Sequence, residues 1–275
     1  MTAFDWNTTG PQRLTVDGKS LELACWGPPP REAPSIVVLH EGLGSLAQWK
    51  DLPARLAEVT GFGVLAYSRA GYGGSDPVPL PRPLDYMTRE AEDVLGPLLD
   101  AAGIGRCILL GHSDGASIAA IYAGSVSDLR VRGLILIAPH FFTEPTGLAT
   151  IAEAGSRFAN GDLREGLAKY HADPEATFHG WHGAWTDPAF AAWNVADAID
   201  HWRVPVLAIQ GDADPYGTLA QIEEIERRIY APLDQLILPG CGHAPHQSHP
   251  GPVIAAITEF CARLERLEQQ EVALV

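Results

Sequence analysis

Short apolar runs alternate along this chain with longer stretches in which apolar positions recur every three or four residues. The runs at 21–26, 36–39, 63–67, 106–110, 134–138, 204–210 and 235–238 predict strands. The spaced stretches at 48–60, 86–102, 113–123, 221–230 and 252–267 predict helices. Ile36, Val37, Val38 and Leu39 have no polar residue between them, as expected of a strand buried on both faces. Strand–helix alternation of this kind builds a mostly parallel sheet flanked by helices, an α/β fold.

The alternation lapses between positions 140 and 203. No strand is predicted there. The segment is crowded with aromatic residues, among them Phe141, Phe142, Phe158, Tyr170, Phe178, Trp181, Trp185, Phe190, Trp193 and Trp202. Strands resume at Val204. The economical division is a core of residues 1–139 and 204–275, with 140–203 as a helical insertion seated on the sheet.

Composition narrows the function classes. With 275 residues, 46% of them apolar, the chain can bury one sizeable core. The 28 glycines and 22 prolines exceed the usual share but stay short of the level of a disordered chain. A formal net charge of −15 repels phosphate backbones and anionic lipid, so neither nucleic acid nor a membrane surface is expected as a partner. No apolar run is long enough to cross a bilayer. Residues 1–10 lack the basic and apolar regions of a signal peptide. Cys25, Cys107, Cys241 and Cys261 have no paired spacing and read as reduced thiols of a cytoplasmic protein.

The informative stretch is Gly111-His112-Ser113-Asp114-Gly115. It follows an apolar strand and opens a helix of small residues, the setting in which G-x-S-x-G has meaning as a sharp turn exposing a nucleophilic serine. A serine hydroxyl needs a base. His243, in the glycine-rich loop after the last strand, lies at the same carboxyl edge of the sheet. His243, His246 and His249 also invite a metal reading, but Pro245 interrupts them, Pro250 follows directly, and they share no helix face. The base in turn needs a carboxylate to set its tautomer. Asp214, in the loop after the strand ending at Gln210, is preferred to Asp212, which sits nearer the strand end and suits a turn.

On these motifs the chain resembles the α/β-hydrolase superfamily, and within it the capped serine esterases. The order Ser113, Asp214, His243 matches the family's order. The resemblance implies the α/β-hydrolase fold, with a cap inserted after the sixth strand. It also implies an oxyanion hole at His40-Glu41-Gly42-Leu43-Gly44-Ser45, where Glu41 replaces a customary glycine. Either Gly42 or Leu43 supplies one amide, Gly42 being preferred, and Asp114 supplies the other. Residues 68–76 resemble the family's loop after the next strand and read as structural. Two branches of the family, the haloalkane dehalogenases and epoxide hydrolases, carry an aspartate in the middle of the elbow, where this chain has Ser113.

The expected activity is hydrolysis of a small apolar or aromatic carboxylic ester through an acyl-enzyme. Glu41, Leu43, Phe141, Trp181 and Trp185 are expected to contact substrate. The same three catalytic groups also serve C–C bond, amide and lactone hydrolysis or cofactor-free perhydrolysis, and the fold serves some ligand receptors. No metal motif, phosphate loop or dinucleotide fingerprint is present, so no cofactor is expected. The expected partner is a small-molecule substrate, and a homodimer is left open.

Overall fold

The structure is a computed structural model that describes residues 4–8 and 10–272. Part of segment 1–10, read above for a leader, lies outside the described residues. Eight strands form one sheet: β1 (Gln12–Val16), β2 (Lys19–Trp26), β3 (Ser35–Leu39), β4 (Gly63–Tyr67), β5 (Cys107–His112), β6 (Val131–Ile137), β7 (Val206–Gly211) and β8 (Leu233–Leu238). The helices are α1 (Leu52–Thr60), α2 (Tyr86–Arg89), α3 (Gly96–Ala101), α4 (Asp114–Ser125), α5 (Pro145–Ala159), α6 (Asp162–Leu167), α7 (Pro174–Trp185), α8 (Ala220–Arg228), α9 (Pro245–Ser248) and α10 (Pro250–Val272).

The strand order is β1-β2-β4-β3-β5-β6-β7-β8. Strands β3 to β8 run parallel, while β2 is antiparallel to β1 and β4. Two apolar clusters cover the faces of the sheet, so β3, β4, β5 and β7 are buried throughout. This is the α/β-hydrolase fold. From β3 the chain first goes outward to β4 and then returns to the other side at β5. A crevice opens at such a reversal, above the carboxyl ends of the two strands. The register aligns those ends along one rim, with Leu39 opposite Gly111, His112 opposite Ile137, Ile137 opposite Ile209, and Gly211 opposite Leu238.

Three features differ from the sequence expectation. Strand β1 was not anticipated, because only Leu14 and Val16 of its five side chains are buried. Its signal was the Asp17-Gly18 turn joining it to β2. Both residues have positive φ, 44° and 74°, as a two-residue hairpin turn requires. The helix expected over 86–102 is interrupted by a π turn at Glu90–Leu95. Pro97 follows it, and its ring would clash with the carbonyl of Asp93 in a regular helix, so the wider turn relieves that contact. Strands β6 and β8 begin earlier than expected, at Val131 and Leu233, and β7 begins later, at Val206.

Between β6 and β7 lie α5, α6 and α7, two 3-10 turns, and one isolated bridge, Phe142 to Asn194. No helix among the described residues is long and apolar enough to cross a membrane. All four cysteines are unpaired and buried, and burial pushes the thiols of Cys25, Cys107 and Cys261 up to about 12.

Candidate active site

Ser113 is the single residue between the end of β5 and the first residue of α4. Its backbone lies at φ 53°, ψ −119°, a region that costs a non-glycine residue about 1–3 kcal/mol. The surroundings hold it there. Its N–H donates to the Ile137 carbonyl at 2.9 Å, and its own carbonyl accepts from Ala116 and Ser117 at 2.8 and 3.0 Å. The flanking glycines permit the crossing. A Cβ at Gly111 would stand 2.2 Å from the Gly115 carbonyl oxygen, and one at Gly115 would stand 2.0 Å from that of Leu39. The serine ends up 7% exposed at the positive end of α4.

Asp214 lies beyond the end of β7, and His243 beyond the end of β8. The His243 Nδ1–Asp214 Oδ2 distance is 2.7 Å. A carboxylate oxygen accepts, so Nδ1 carries the proton and Nε2 of the neutral ring is left as an acceptor. Asp214 is otherwise fixed by Gln210 Nε2, which donates to Oδ2 at 3.0 Å, and by the Tyr216 N–H, which donates to Oδ1 at 2.8 Å. Burial raises its ionisation range, but the His243 hydrogen bond and charge and the Tyr216 N–H outweigh burial and leave the carboxyl below its ordinary value. Asp212 instead accepts the Gly240 N–H at 2.6 Å, a turn contact.

Three further imidazoles pack around His243. His112 Nε2 donates to the His243 carbonyl at 2.7 Å and ties the His243 loop to the turn at Ser113. The ring centroids of His112 and His140 lie 5.0 and 5.7 Å from that of His243, and His246 packs on His112 at 4.7 Å. Burial, followed by the proximity of His243, pulls His140 and His246 down to about 4. These rings therefore stay neutral beside the His243–Asp214 pair. Among the described residues no group of three or more His, Cys, Asp or Glu side chains is placed to hold a metal ion.

The loop after β3 is held from below by Arg69, which is 1% exposed. Its Nη1 donates to the His40 carbonyl at 2.5 Å and its Nη2 to the Glu41 carbonyl at 3.1 Å. In a trans peptide the C=O and the following N–H point in opposite directions. Glu41 C=O faces Arg69, so the Gly42 N–H points away from that guanidinium. The Leu43 N–H is taken by the Glu41 carboxylate at 3.3 Å. The Asp114 carboxyl lies off the apex, hydrogen-bonded to Tyr86 Oη and 3.9 Å from Arg69 Nη2. Trp185 Nε1 donates to that same Tyr86 oxygen at 2.9 Å. Asp114 N–H opens α4, where the first amides have no acceptor within the helix.

Ser113 and His243 line one cavity of about 80 Å³, together with Glu41, Gly42, Leu43 and Asp114. No hydrogen bond joins Ser113 Oγ to the imidazole, a contact that in unliganded enzymes is often long and tightens with substrate. The opposite wall is Trp181, Trp185, Tyr216, His140 and Ile151. Trp181 closes over the loop so tightly that a Cβ at Gly42 would stand 2.1 Å from its indole nitrogen. A larger groove, about 530 Å³, lies at the amino end of β6 and β7 and contains none of these groups.

Phe141, expected to touch substrate, does not line the cavity. It is fully buried, packs on Trp202 at 5.9 Å, and its N–H donates to Gln221 Oε1 at 2.8 Å. The chain alternates sides as it leaves β6, so His140 takes the lining position and Phe141 the core. His140, Tyr216 and Ile151 were not anticipated. His140 could have been inferred from its place just beyond the carboxyl end of β6, and Tyr216 from its place two residues after Asp214. Ile151 reaches the site only through the docking of α5, which no local pattern encodes.

A sequence model described as the alpha/beta hydrolase family matches residues 36–256. The chain is 27% identical to epoxide hydrolase A of Mycobacterium tuberculosis, over 84% of this chain and 91% of that protein. Among solved structures it is similar to a malate-bound thermophilic esterase from Thermogutta terrifontis, with a TM-score of 0.72, 19% identity, and coverage of 93% of this chain and 99% of that one. It is also similar to the enol-lactonase of Burkholderia xenovorans, with a TM-score of 0.71, 21% identity, and coverage of 91% and 100%.

Proposed function

The chain belongs to the alpha/beta hydrolase family, and from that premise we propose that this hydrolase is a serine esterase acting on small carboxylic esters. The observation that carries the proposal is the 2.7 Å His243–Asp214 pair on the same rim as a strained, nearly buried Ser113. Ser113 Oγ attacks the ester carbonyl while His243 Nε2 takes its proton. Asp214 stabilises the imidazolium that forms. The Gly42 and Asp114 amides receive the developing oxyanion, each worth about 3 kcal/mol in the transition state. His243 then protonates the leaving alcohol, and water attacks the acyl-enzyme by the same route. Segment 140–203 acts as the cap, with Trp181 and Trp185 walling the acyl or alcohol group. The small cavity and its aromatic lining favour small apolar or aromatic groups.

Epoxide hydrolysis, the activity named for one relative, requires a carboxylate at the apex of the elbow. Here the apex is Ser113, and the adjacent Asp114 is 1% exposed and already committed to Tyr86 and Arg69. The ester reading therefore fits these residues better.

In this scheme Arg69 is a positioning residue, since it aims the Gly42 N–H without touching substrate. Arg69→Lys keeps the charge but loses the fork that holds two carbonyls at once. We expect kcat to fall about 10- to 100-fold, with KM changed less than threefold, since an oxyanion donor acts mainly in the transition state. A rise in KM at constant kcat would instead assign Arg69 to substrate binding.

The test of the proposal as a whole is active-site labelling. A fluorophosphonate should add once per chain, on the peptide containing Ser113, and should abolish hydrolysis of p-nitrophenyl butyrate in proportion to labelling. Labelling at another residue, or full turnover by fully labelled protein, refutes it.

A further inference from the structure

The cavity contains a carboxyl group that the proposed chemistry does not use. Glu41 stands where the family resemblance implies a glycine, so the chain has added a charged side chain to the floor of its site. One carboxylate oxygen accepts the Leu43 N–H at a long 3.3 Å, while the other has no donor among the described residues. It lines the same cavity as Ser113, Asp114 and His243, and burial raises its ionisation range. A carboxyl with open acceptor capacity in a partly dry site calls for a donor from the ligand.

The rest of the lining says which kind of donor. Among the described residues no lysine or arginine lines the cavity. Arg69 sits behind the loop and faces Asp114. His140, on the far wall, stays neutral, being pulled down to about 4. Asp214 holds its charge on the base. Three aromatic side chains, Trp181, Trp185 and Tyr216, complete the enclosure. Carboxylate and aromatic rings together are the surroundings that recognise an ammonium group. Outside the oxyanion amides, an anionic substituent would meet the Glu41 carboxylate with no lining cation to offset it among the described residues, and the net charge of −15 repels it at a distance as well.

We propose that Glu41 is a specificity-determining residue and that the preferred substrates are small esters carrying a protonated amine, bound with the ammonium against the Glu41 carboxylate. This inference rests on the serine-esterase reading and adds the substrate class to it.

The experiment compares matched pairs that differ only in replacing CH₃ by NH₃⁺: p-nitrophenyl propanoate against p-nitrophenyl glycinate, and propyl butyrate against 2-aminoethyl butyrate. The ammonium also activates the ester chemically, so each rate is divided by its spontaneous hydrolysis. The quantity read is the amine-to-neutral ratio of kcat/KM in the native protein relative to Glu41→Gln. At least one pair should lose about ten-fold or more of its preference in the variant, mostly through a higher KM for the amine ester, and the ratio cancels any change in rate common to both esters. Equal ratios in the two proteins for both pairs overturn the proposal. Inhibition of the native protein provides a second reading that needs no variant. Pentylammonium should compete with p-nitrophenyl butyrate about ten-fold better than pentanol, and equal or weaker inhibition counts against it. The two levels fail differently. Absence of fluorophosphonate on Ser113 sinks the esterase reading, whereas a labelled Ser113 with unchanged ratios sinks only the amine preference.

Discussion

Ser113→Ala should lower kcat for p-nitrophenyl butyrate by about 10⁵-fold or more and leave the fold intact. The large effect follows from the chemistry, since without the hydroxyl there is no acyl-enzyme and only binding and oxyanion stabilisation remain. The intact fold follows from the contacts. Ser113 is held through its backbone, by the Ile137 carbonyl and by the amides of Ala116 and Ser117, and alanine keeps all three hydrogen bonds. Ser113→Gly separates the two roles further. It should be equally inactive, yet more stable by about 1 kcal/mol, because φ 53° with ψ −119° strains any residue that carries a Cβ. Thermal melts of the two variants read that difference, and kinetics with the fluorophosphonate as titrant read the first. Retention of more than about a hundredth of the native kcat in Ser113→Ala would move the nucleophile elsewhere.

The buried sheet and the elbow were legible in the sequence for a common reason: both are local. A run such as Ile36 to Leu39 can be accommodated only between two apolar layers, and Gly111-x-Ser113-x-Gly115 between strand and helix describes one tight crossing. The rim was legible as well, because carboxyl ends of parallel strands collect on one side whatever their order. Partnerships between distant residues that no motif marks were not. Nothing around Arg69 shows that its guanidinium reaches the carbonyls of His40 and Glu41, and the loop holding it was read as merely structural. Phe141 was placed in the site by composition, yet the step that turns His140 inward turns Phe141 into the core. Strand β1 failed for the opposite reason: two buried side chains are too few for a periodic signal, and the evidence for it lay in the Asp17-Gly18 turn.

Asp214→Asn should cost roughly 10³- to 10⁴-fold in kcat, although it exchanges a single atom. The carboxylate accepts three hydrogen bonds, from His243 Nδ1, Gln210 Nε2 and the Tyr216 N–H, and each partner presents a donor. An amide cannot satisfy all three. If its NH₂ faces His243, the ring must accept at Nδ1 and carry its proton on Nε2, which removes the base from Ser113. If its oxygen faces His243, the NH₂ opposes the Tyr216 N–H, a buried donor–donor contact of about 1–3 kcal/mol, and the imidazolium still loses its countercharge. The stability cost carries a pH signature. The folded Asp214 carboxyl ionises below its ordinary value, so between the two values the unfolded chain binds more protons than the folded one. Its contribution is thus complete above about pH 4 and is lost as pH falls through the lower, folded value. Denaturant titrations of native protein and Asp214→Asn should show their largest gap at neutral pH, narrowing below about pH 4. A gap that widens on acidification would mean that the carboxyl is held protonated, and with it the account of the His243 tautomer would fall.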